Sequence, residues 1–305
     1  MEYLGEMSAL ASAALWVVTG LAFAAAGRKV GATVVNVTRI WLALICLVVL
    51  HFALYGYVVP DLTISAWIWL SISGVLGLAI GDQFLYRSLV DAGPRTATLV
   101  MATVPGITAV IAWPVLGQSI SLWGMVGMAV TLGGVLLVIG QQPRATGRVY
   151  SQMRRGVILA FLASICQSVG LVTSKMGMGD PGTADAVDPW TASLVRIAVA
   201  TPFATAMLIA TMRFMHDQWS SVKSIPRAWK PIVLGAICGP FLGVGTALVA
   251  VNYIDAGIAA TLMATSPVMI LPCAWLIEGE HFDPRALWGA AIAVLGVGIL
   301  MAHLP

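Results

Sequence analysis

Long apolar segments separated by short polar breaks are the dominant pattern of this 305-residue chain. A helix that crosses the hydrocarbon core of a bilayer needs roughly 20 mostly apolar residues. Cutting the chain at charge clusters and at Gly- and Pro-rich breaks gives segments of that length. The predicted membrane helices cover approximately residues 7–27, 33–57, 65–90, 94–116, 121–140, 156–177, 189–212, 230–254, 257–277 and 284–303. We therefore predict an all-α polytopic membrane protein with ten transmembrane helices.

The composition agrees with this pattern and excludes several classes of protein. Hydrophobic residues make up 59% of the chain and charged residues 10%, against about 25% charged in soluble domains. The net charge of +3 gives no reason to expect a nucleic-acid partner. The cysteines and histidines lack metal-ligand spacings, and no phosphate-binding loop is present. We therefore expect a lipid bilayer as the surroundings, with no metal, no cofactor and no direct use of ATP.

Basic residues cluster on one side of the predicted helices. The side opposite the N-terminus has Arg28, Lys29, Arg95, Arg144, Arg148, Arg154, Arg155, Arg213, Lys223, Arg227, Lys230 and Arg285. The N-terminal side has Lys175 and acidic loops. Lys and Arg are enriched in cytoplasmic loops. This asymmetry predicts cytoplasmic basic loops, with both termini outside, in a bacterial inner membrane.

The chain contains an internal repeat. "DAGPRTATLVMATVP" (91–105) matches "DAGIAATLMATSP" (255–267) with a two-residue gap, and "TRIWLAL" (38–44) resembles "VRIAVAT" (195–201). Self-similarity of this kind indicates duplicated structural units. The repeat divides the chain into a first five-helix unit, a basic linker and a second five-helix unit, at residues 1–140, 141–155 and 156–305.

Five helices per unit is an odd number, so the second unit must enter the membrane from the opposite side. Inverted repeats of this kind are usual in secondary transporters, whose substrate site lies between the repeats near the bilayer midplane. Two related halves can exchange conformations, which predicts alternating access. Some channels also have inverted repeats, so a facilitative channel-like permease remains an alternative.

The segment "LIEGEHFDPRALWGAAIAVLGVGIL" (276–300) resembles the end-of-repeat signature of the EamA-like family in the drug/metabolite transporter superfamily. The resemblance covers nearly the whole chain, although the first copy has Gln118 where the family has Glu. It implies a ten-helix exporter of amino acids, amines or amphipathic compounds, with a cavity lined by helices 1, 3, 4, 6, 8 and 9. Many relatives carry basic residues near the N-terminus that this chain lacks, so its predicted orientation is the reverse of theirs.

A polar cluster interrupts helix 3 at Asp82, Gln83, Tyr86 and Arg87, whose repeat mates are not ionisable. On a helix, Asp82 and Tyr86 share one face, and Gln83 and Arg87 share the adjacent one. In one interpretation, Asp82 binds a cationic substrate or takes up a proton during exchange, while Tyr86 and Gln83 orient the substrate. In the other, Asp82 and Arg87 form an internal ion pair.

Pro105 and Pro267 occupy equivalent midpoints of helices 4 and 9. Proline lacks an amide donor, so the carbonyls of Met101 and Met263 should lose their helical partners. We expect a kink in each helix that shapes the cavity, acting either as a moving hinge or as a static bend. The hydroxyl groups available to these carbonyls belong to Thr103, Thr265 and Ser266.

Other candidates in the membrane segments are weaker. Arg39 and Arg196 are related by the repeat, which favours structural pairing with carbonyls or acids over substrate contact. The glycine-rich helices 5 and 10 could pack within a monomer or form a homodimer face. Further candidate cavity residues are Trp16, Thr19, Gln167 and Asn252.

An intramembrane enzyme is the main alternative from another class. "AIGDQ" resembles the GxGD element of intramembrane aspartyl proteases, but Ala79 replaces the first glycine and no second aspartate has a suitable context. We therefore expect a transporter rather than an enzyme, whose partners are a small-molecule substrate and a coupling proton or counter-substrate.

Overall fold

The computed structural model describes residues 3–30, 32–92, 94–140, 150–214, 225–269 and 284–302. Within these residues the chain folds into ten successive helices, some of which are interrupted. The helices of the first repeat are α1 (Leu4–Val30), α2 (Ala32–Tyr55), α3 (Ile64–Ser73, Gly74–Gly81 and Asp82–Asp91), α4 (Pro94–Met101 and Val104–Leu116) and α5 (Leu122–Gly140). Those of the second are α6 (Tyr150–Met178), α7 (Pro189–Phe214), α8 (Ile225–Ala228, Trp229–Ala236, Ile237–Gly243 and Val244–Tyr253), α9 (Ala256–Met269) and α10 (Pro284–Ala302).

The predicted membrane helices correspond to these elements. Eight of the described helices are long and apolar enough to cross a membrane, and Ala256–Met269 and Leu287–Ile299 are shorter apolar helices. The predicted ninth segment, 257–277, extends beyond the described residues. Many apolar side chains on the outer faces of the helices are exposed, as lipid contact requires. The chain is an integral, multi-pass membrane protein built from two inverted five-helix repeats.

Helix α6 begins at Tyr150, earlier than the predicted 156, so the end of the predicted 141–155 linker is helical. Residues 150–155 contain no proline, and Arg154 and Arg155 are exposed in the first turns. A helix can therefore continue past its apolar run, because the charged side chains extend away from the core.

Both α3 and α8 contain a π-helical segment, at Gly74–Gly81 and Ile237–Gly243. The repeat alignment places these two segments at equivalent positions. Helix α3 approaches α7 so closely that a Cβ atom on Gly74 would lie 2.3 Å from the carbonyl oxygen of Arg196. Only a residue without a side chain permits this approach. The π segments end beside the polar residues described below.

Helices α4 and α9 are interrupted just before Pro105 and Pro267, where the sequence predicts kinks. In both, a threonine in the break donates its amide to the carbonyl three residues earlier, Thr103 to Val100 (3.0 Å) and Thr265 to Leu262 (3.2 Å). The hydroxyls of these threonines lie 2.7 Å from the same carbonyls, not from those of the methionines. The sequence predicts a hydroxyl partner for the carbonyls of Met101 and Met263. Among the described contacts, only the carbonyl of Met263 has one, from the hydroxyl of Ser266 (2.9 Å).

The glycines of α5 and α10 pack these two helices against each other within one chain. A Cβ atom on Gly134 would lie 2.3 Å from the amide nitrogen of Ala293, and one on Gly296 would lie 2.4 Å from that of Thr131. Small residues thus let the two backbones touch. Of the two roles predicted for these glycines, the structure shows packing within the monomer.

Candidate functional site

A cavity of about 310 Å³ lies between the two repeats. Pockets for small molecules have volumes of roughly 300–1,000 Å³, so this one suits a small ligand. The cavity is lined by Trp16, Arg39, Leu78, Asp82, Leu85, Tyr86, Thr98, Met101, Ala102, Val104, Val135, Ile139, Gln167, Leu171, Arg196, Val244, Ala247, Ala260, Met263, Ala264, Ser266 and Pro267. Its walls therefore include α2, α5 and α7 in addition to the six helices expected from the family.

The cavity lies toward one face of the helix bundle. We call the face where α5 ends and α6 begins the linker side, and the opposite face the terminus side. Ile139 is in the last turn of α5, Thr98 is near the start of α4, and Tyr86 is near the end of α3. These lining residues are all close to the linker side, whereas Trp16 lies near the middle of α1. The cavity thus extends from the middle of the bundle toward the linker side.

A buried ion pair forms one wall of the cavity. The Nη2 atom of Arg39 donates to Oδ2 of Asp82. The Nε2 atom of Gln167 donates to the other oxygen, Oδ1, at 3.1 Å. Nε of Arg39 donates to Oδ1 of Asn36 (2.9 Å). Arg39 is 2% exposed and Asp82 is 5% exposed. Two charges buried this deeply are tolerated because each is paired and hydrogen-bonded.

The predicted Asp82–Arg87 ion pair is wrong. Arg87 is exposed, and its Nε lies 4.0 Å from Asp91. Five residues along a helix correspond to a rotation of about 140° beyond one full turn, so Arg87 points away from the face that buries Asp82. Asp91 is held by Arg155, whose Nε and Nη2 donate to its two oxygens at 2.7 and 2.9 Å.

The partners of Asp82 also bear on its predicted role as a binding site for cations. Both of its carboxylate oxygens already accept a hydrogen bond from a side chain of the protein. A cationic ligand would have to share this carboxylate with Arg39, which already neutralises its charge. The guanidinium of Arg39 is further fixed between two rings, with Cζ 5.1 Å from the ring centre of Tyr86 and 5.4 Å from that of Phe23. Such cation–π contacts stabilise a desolvated guanidinium.

Arg196 also lines the cavity, beside Gly77 of α3, but it lacks comparable partners. It is 3% exposed, and its Nε has no hydrogen-bond acceptor among the described residues. Within those residues no carboxylate lies within 4.0 Å of it. The repeat explains this difference, because the position equivalent to Asp82 in α8 is Thr246, whose hydroxyl donates to the carbonyl of Leu242 (2.9 Å).

The remaining predicted site residues divide into two groups. Trp16, Tyr86, Gln167, Ser266 and Pro267 line the cavity together with Asp82. The residues outside its lining are Thr19, Gln83, Arg87, Thr103, Pro105, Asn252 and Thr265. Several of these have local roles; the hydroxyl of Thr19, for example, donates to the carbonyl of Leu15 (2.8 Å).

The sequence favoured structural pairing of Arg39 and Arg196 with carbonyls or acids. Arg39 does pair with an acid, Asp82, but both arginines also line the cavity, which the sequence did not predict. Two signals could have identified them. An ionisable residue inside a membrane segment is a functional candidate by default. In addition, interrupted apolar segments at corresponding positions of two repeats point to a binding site. The stretches "GVLGLAIG" and "ICGPFLG", which form the π segments, are such a pair.

Comparison with known proteins gives a family and a fold. The model of the EamA-like transporter family matches residues 3–140 and again residues 154–302. A crystal structure of a protein with 16% sequence identity superposes with a TM-score of 0.78, over 98% of this chain and 96% of that chain. At this identity the likeness shows the fold alone. None of the curated proteins compared with the chain matches it.

Proposed function

Because the chain belongs to the EamA-like transporter family, we propose that it is a secondary active transporter that moves a small metabolite through the cavity between its repeats. The supporting observation is that both repeats contribute a buried arginine to one small, mainly apolar cavity, Arg39 from the first and Arg196 from the second. Buried charge is costly in a membrane and is usually retained for a substrate or ion pathway.

Alternating access would need the terminus side to open when the linker side closes. On the terminus side, contacts between the repeats close the bundle. Oε1 of Gln118 accepts from the amide of Ala256 (3.1 Å), where the first repeat meets the start of α9. Within the second repeat, Nζ of Lys175 donates to the carbonyl of Ile254 (2.8 Å). Opening would break the neutral Gln118–Ala256 bond, at a net cost of about 1 kcal/mol, and the charge-assisted Lys175–Ile254 bond, at about 1.5–3 kcal/mol if it also breaks.

We propose export, the direction that the family resemblance implies, with the basic loops in the cytoplasm as their charge favours. The linker side would then be cytoplasmic, and the cavity would receive its substrate from inside the cell. Without a phosphate-binding loop for ATP, we propose exchange with a proton or a counter-substrate as the energy source. The relevant membrane would be the bacterial inner membrane.

Flux measurements on purified protein in liposomes test this function. Amino acids, amines and amphipathic organic ions are first screened by thermal shift, and compounds that stabilise the protein are then tested in counterflow. We expect saturable flux that is stimulated by unlabelled compound on the opposite side. Flux that rises linearly with concentration would favour a channel-like permease. Chemical conversion without flux would favour an enzyme. Liposomes without protein provide the baseline.

Cysteine accessibility tests the alternating mechanism separately. Single cysteines at Thr98, on the linker side, and at Gln118, on the terminus side, are placed in a protein whose native cysteines are replaced by alanine. A membrane-impermeant thiol reagent is applied with and without ligand. Alternating access predicts opposite changes in labelling at the two positions. A cysteine at the exposed loop residue Asp61 serves as control and should label equally in both conditions, and unchanged labelling at all three positions would contradict the mechanism.

A further inference from the structure

The two repeats place equivalent arginines in one cavity but give only one of them a counter-ion. Arg39 in α2 pairs with Asp82 in α3. Arg196 in α7 lies beside Gly77 of α3, and the residue of α8 equivalent to Asp82 is the uncharged Thr246. Two guanidinium groups thus face one carboxylate in the lining of the cavity. With two guanidinium groups and one carboxylate, the described lining of the cavity carries one net positive charge.

A buried cation without a partner is strongly disfavoured unless something supplies its counter-ion. Arg196 is almost completely covered by protein, and its Nε lacks an acceptor among the described residues. Native structures leave few buried polar atoms in this condition, and each one calls for an explanation. An anionic group in the cavity would provide the missing charge.

We propose that Arg196 binds the anionic group of the substrate, and that the substrate is a monocarboxylate with a mainly apolar body. This inference rests on the proposed function, in which the cavity is the transport site. A single negative charge matches the single unpaired guanidinium, whereas a doubly charged phosphate would leave a surplus. The planar fork of an arginine also matches the geometry of a carboxylate.

The rest of the lining selects for the apolar body. Around the charged residues, the cavity wall is formed by side chains such as Trp16, Leu171, Val244 and Met263. Apolar walls with a few polar groups are the usual construction of a small-molecule site. A zwitterion would also bring an ammonium group, for which the described lining offers no second carboxylate, since the charge of Asp82 is already neutralised by Arg39. The site therefore favours a simple carboxylate over an α-amino acid.

A series of ligands with the same ring tests the charge preference on the unaltered protein. The series consists of 3-phenylpropionate, 3-phenylpropan-1-ol, 3-phenylpropylamine, phenylalanine and 2-phenylethylphosphonate, and binding is measured by calorimetry in nanodiscs. We expect 3-phenylpropionate to bind at least about thirtyfold more tightly than the alcohol or the amine, because an ion pair in a buried site has that magnitude. Equal or tighter binding of the alcohol, the amine, phenylalanine or the phosphonate would overturn the assignment.

Variants then test whether Arg196 is the residue responsible for the preference for the carboxylate. Arg196→Gln should abolish the preference for 3-phenylpropionate over the alcohol, and Arg196→Lys should restore part of it. Arg155→Gln, which removes a half-exposed arginine outside the cavity lining, should leave the preference intact. A preference that survives in Arg196→Gln would overturn the proposal. The ligand series on the unaltered protein does not depend on whether this variant folds.

Flux separates this proposal from the proposed function. Saturable counterflow of phenylalanine without binding of 3-phenylpropionate would overturn the carboxylate assignment and leave the transporter intact. Binding of 3-phenylpropionate that depends on Arg196, without flux of any compound in the series, would support the assignment and count against transport.

Discussion

The substitution Asp82→Asn removes the charge that neutralises Arg39 while leaving a side chain of nearly the same size. It leaves two guanidinium groups in the cavity lining without a carboxylate. Breaking a buried ion pair by removing one partner costs about 3–5 kcal/mol, and the near-complete burial of Arg39 and Asp82 places this pair in that class. Because the asparagine oxygen can still accept one hydrogen bond, we expect a loss near the lower end, about 3 kcal/mol.

The assay is thermal unfolding of the detergent-solubilised protein. A change of 1 kcal/mol shifts the Tm of a domain of 150–250 residues by about 2–4 °C, so Asp82→Asn should lower the apparent Tm by roughly 6–12 °C. The matched control is Arg155→Gln, which breaks the pair between Arg155 and Asp91. The Arg155 side chain is 54% exposed, so water screens this pair and we expect a much smaller drop in apparent Tm than for Asp82→Asn.

The double variant Arg39→Gln with Asp82→Asn completes the test. If the two side chains stabilise each other, the double variant loses less stability than the sum of the single losses. Strictly additive losses, or an Asp82→Asn variant that is as stable as the unaltered protein, would refute the reasoning. In that case the burial of Asp82 would need another explanation.

Two further predictions concern packing and the contact between the repeats. Gly74→Ala should prevent accumulation of folded protein, because the new Cβ atom would lie 2.3 Å from the carbonyl oxygen of Arg196. Folded yield is measured by size-exclusion chromatography. The control is Gly133→Ala, which should be unaffected because a Cβ atom there has open space around it. Gln118→Ala should lower stability by about 1 kcal/mol, because the amide of Ala256 at the start of α9 loses its acceptor, whereas Gln118→Glu keeps an acceptor and should change the apparent Tm much less.

The fold could be predicted from the sequence because its signals are local and repeated. Apolar runs long enough to span a bilayer show where the membrane helices lie. The match of residues 91–105 with residues 255–267 shows that the five-helix unit is duplicated. Pro105 and Pro267 mark the two helix breaks, since a missing amide acts at its own position in the chain. The start of α6 at Tyr150 was missed, because charged residues that end an apolar run do not by themselves end a helix.

The sequence by itself determined that this chain is a membrane protein of two inverted repeats, and that Asp82 has no acidic counterpart in the second repeat. Only the tertiary structure decided that Asp82 pairs with Arg39 and not with Arg87, and that Arg196 shares their cavity. Helical periodicity specifies the face on which a side chain lies, but it does not specify which distant helix packs on that face. Charge pairing inside a membrane depends on that packing, because the cost of an unpaired charge depends on its distance from a counter-ion and its separation from water.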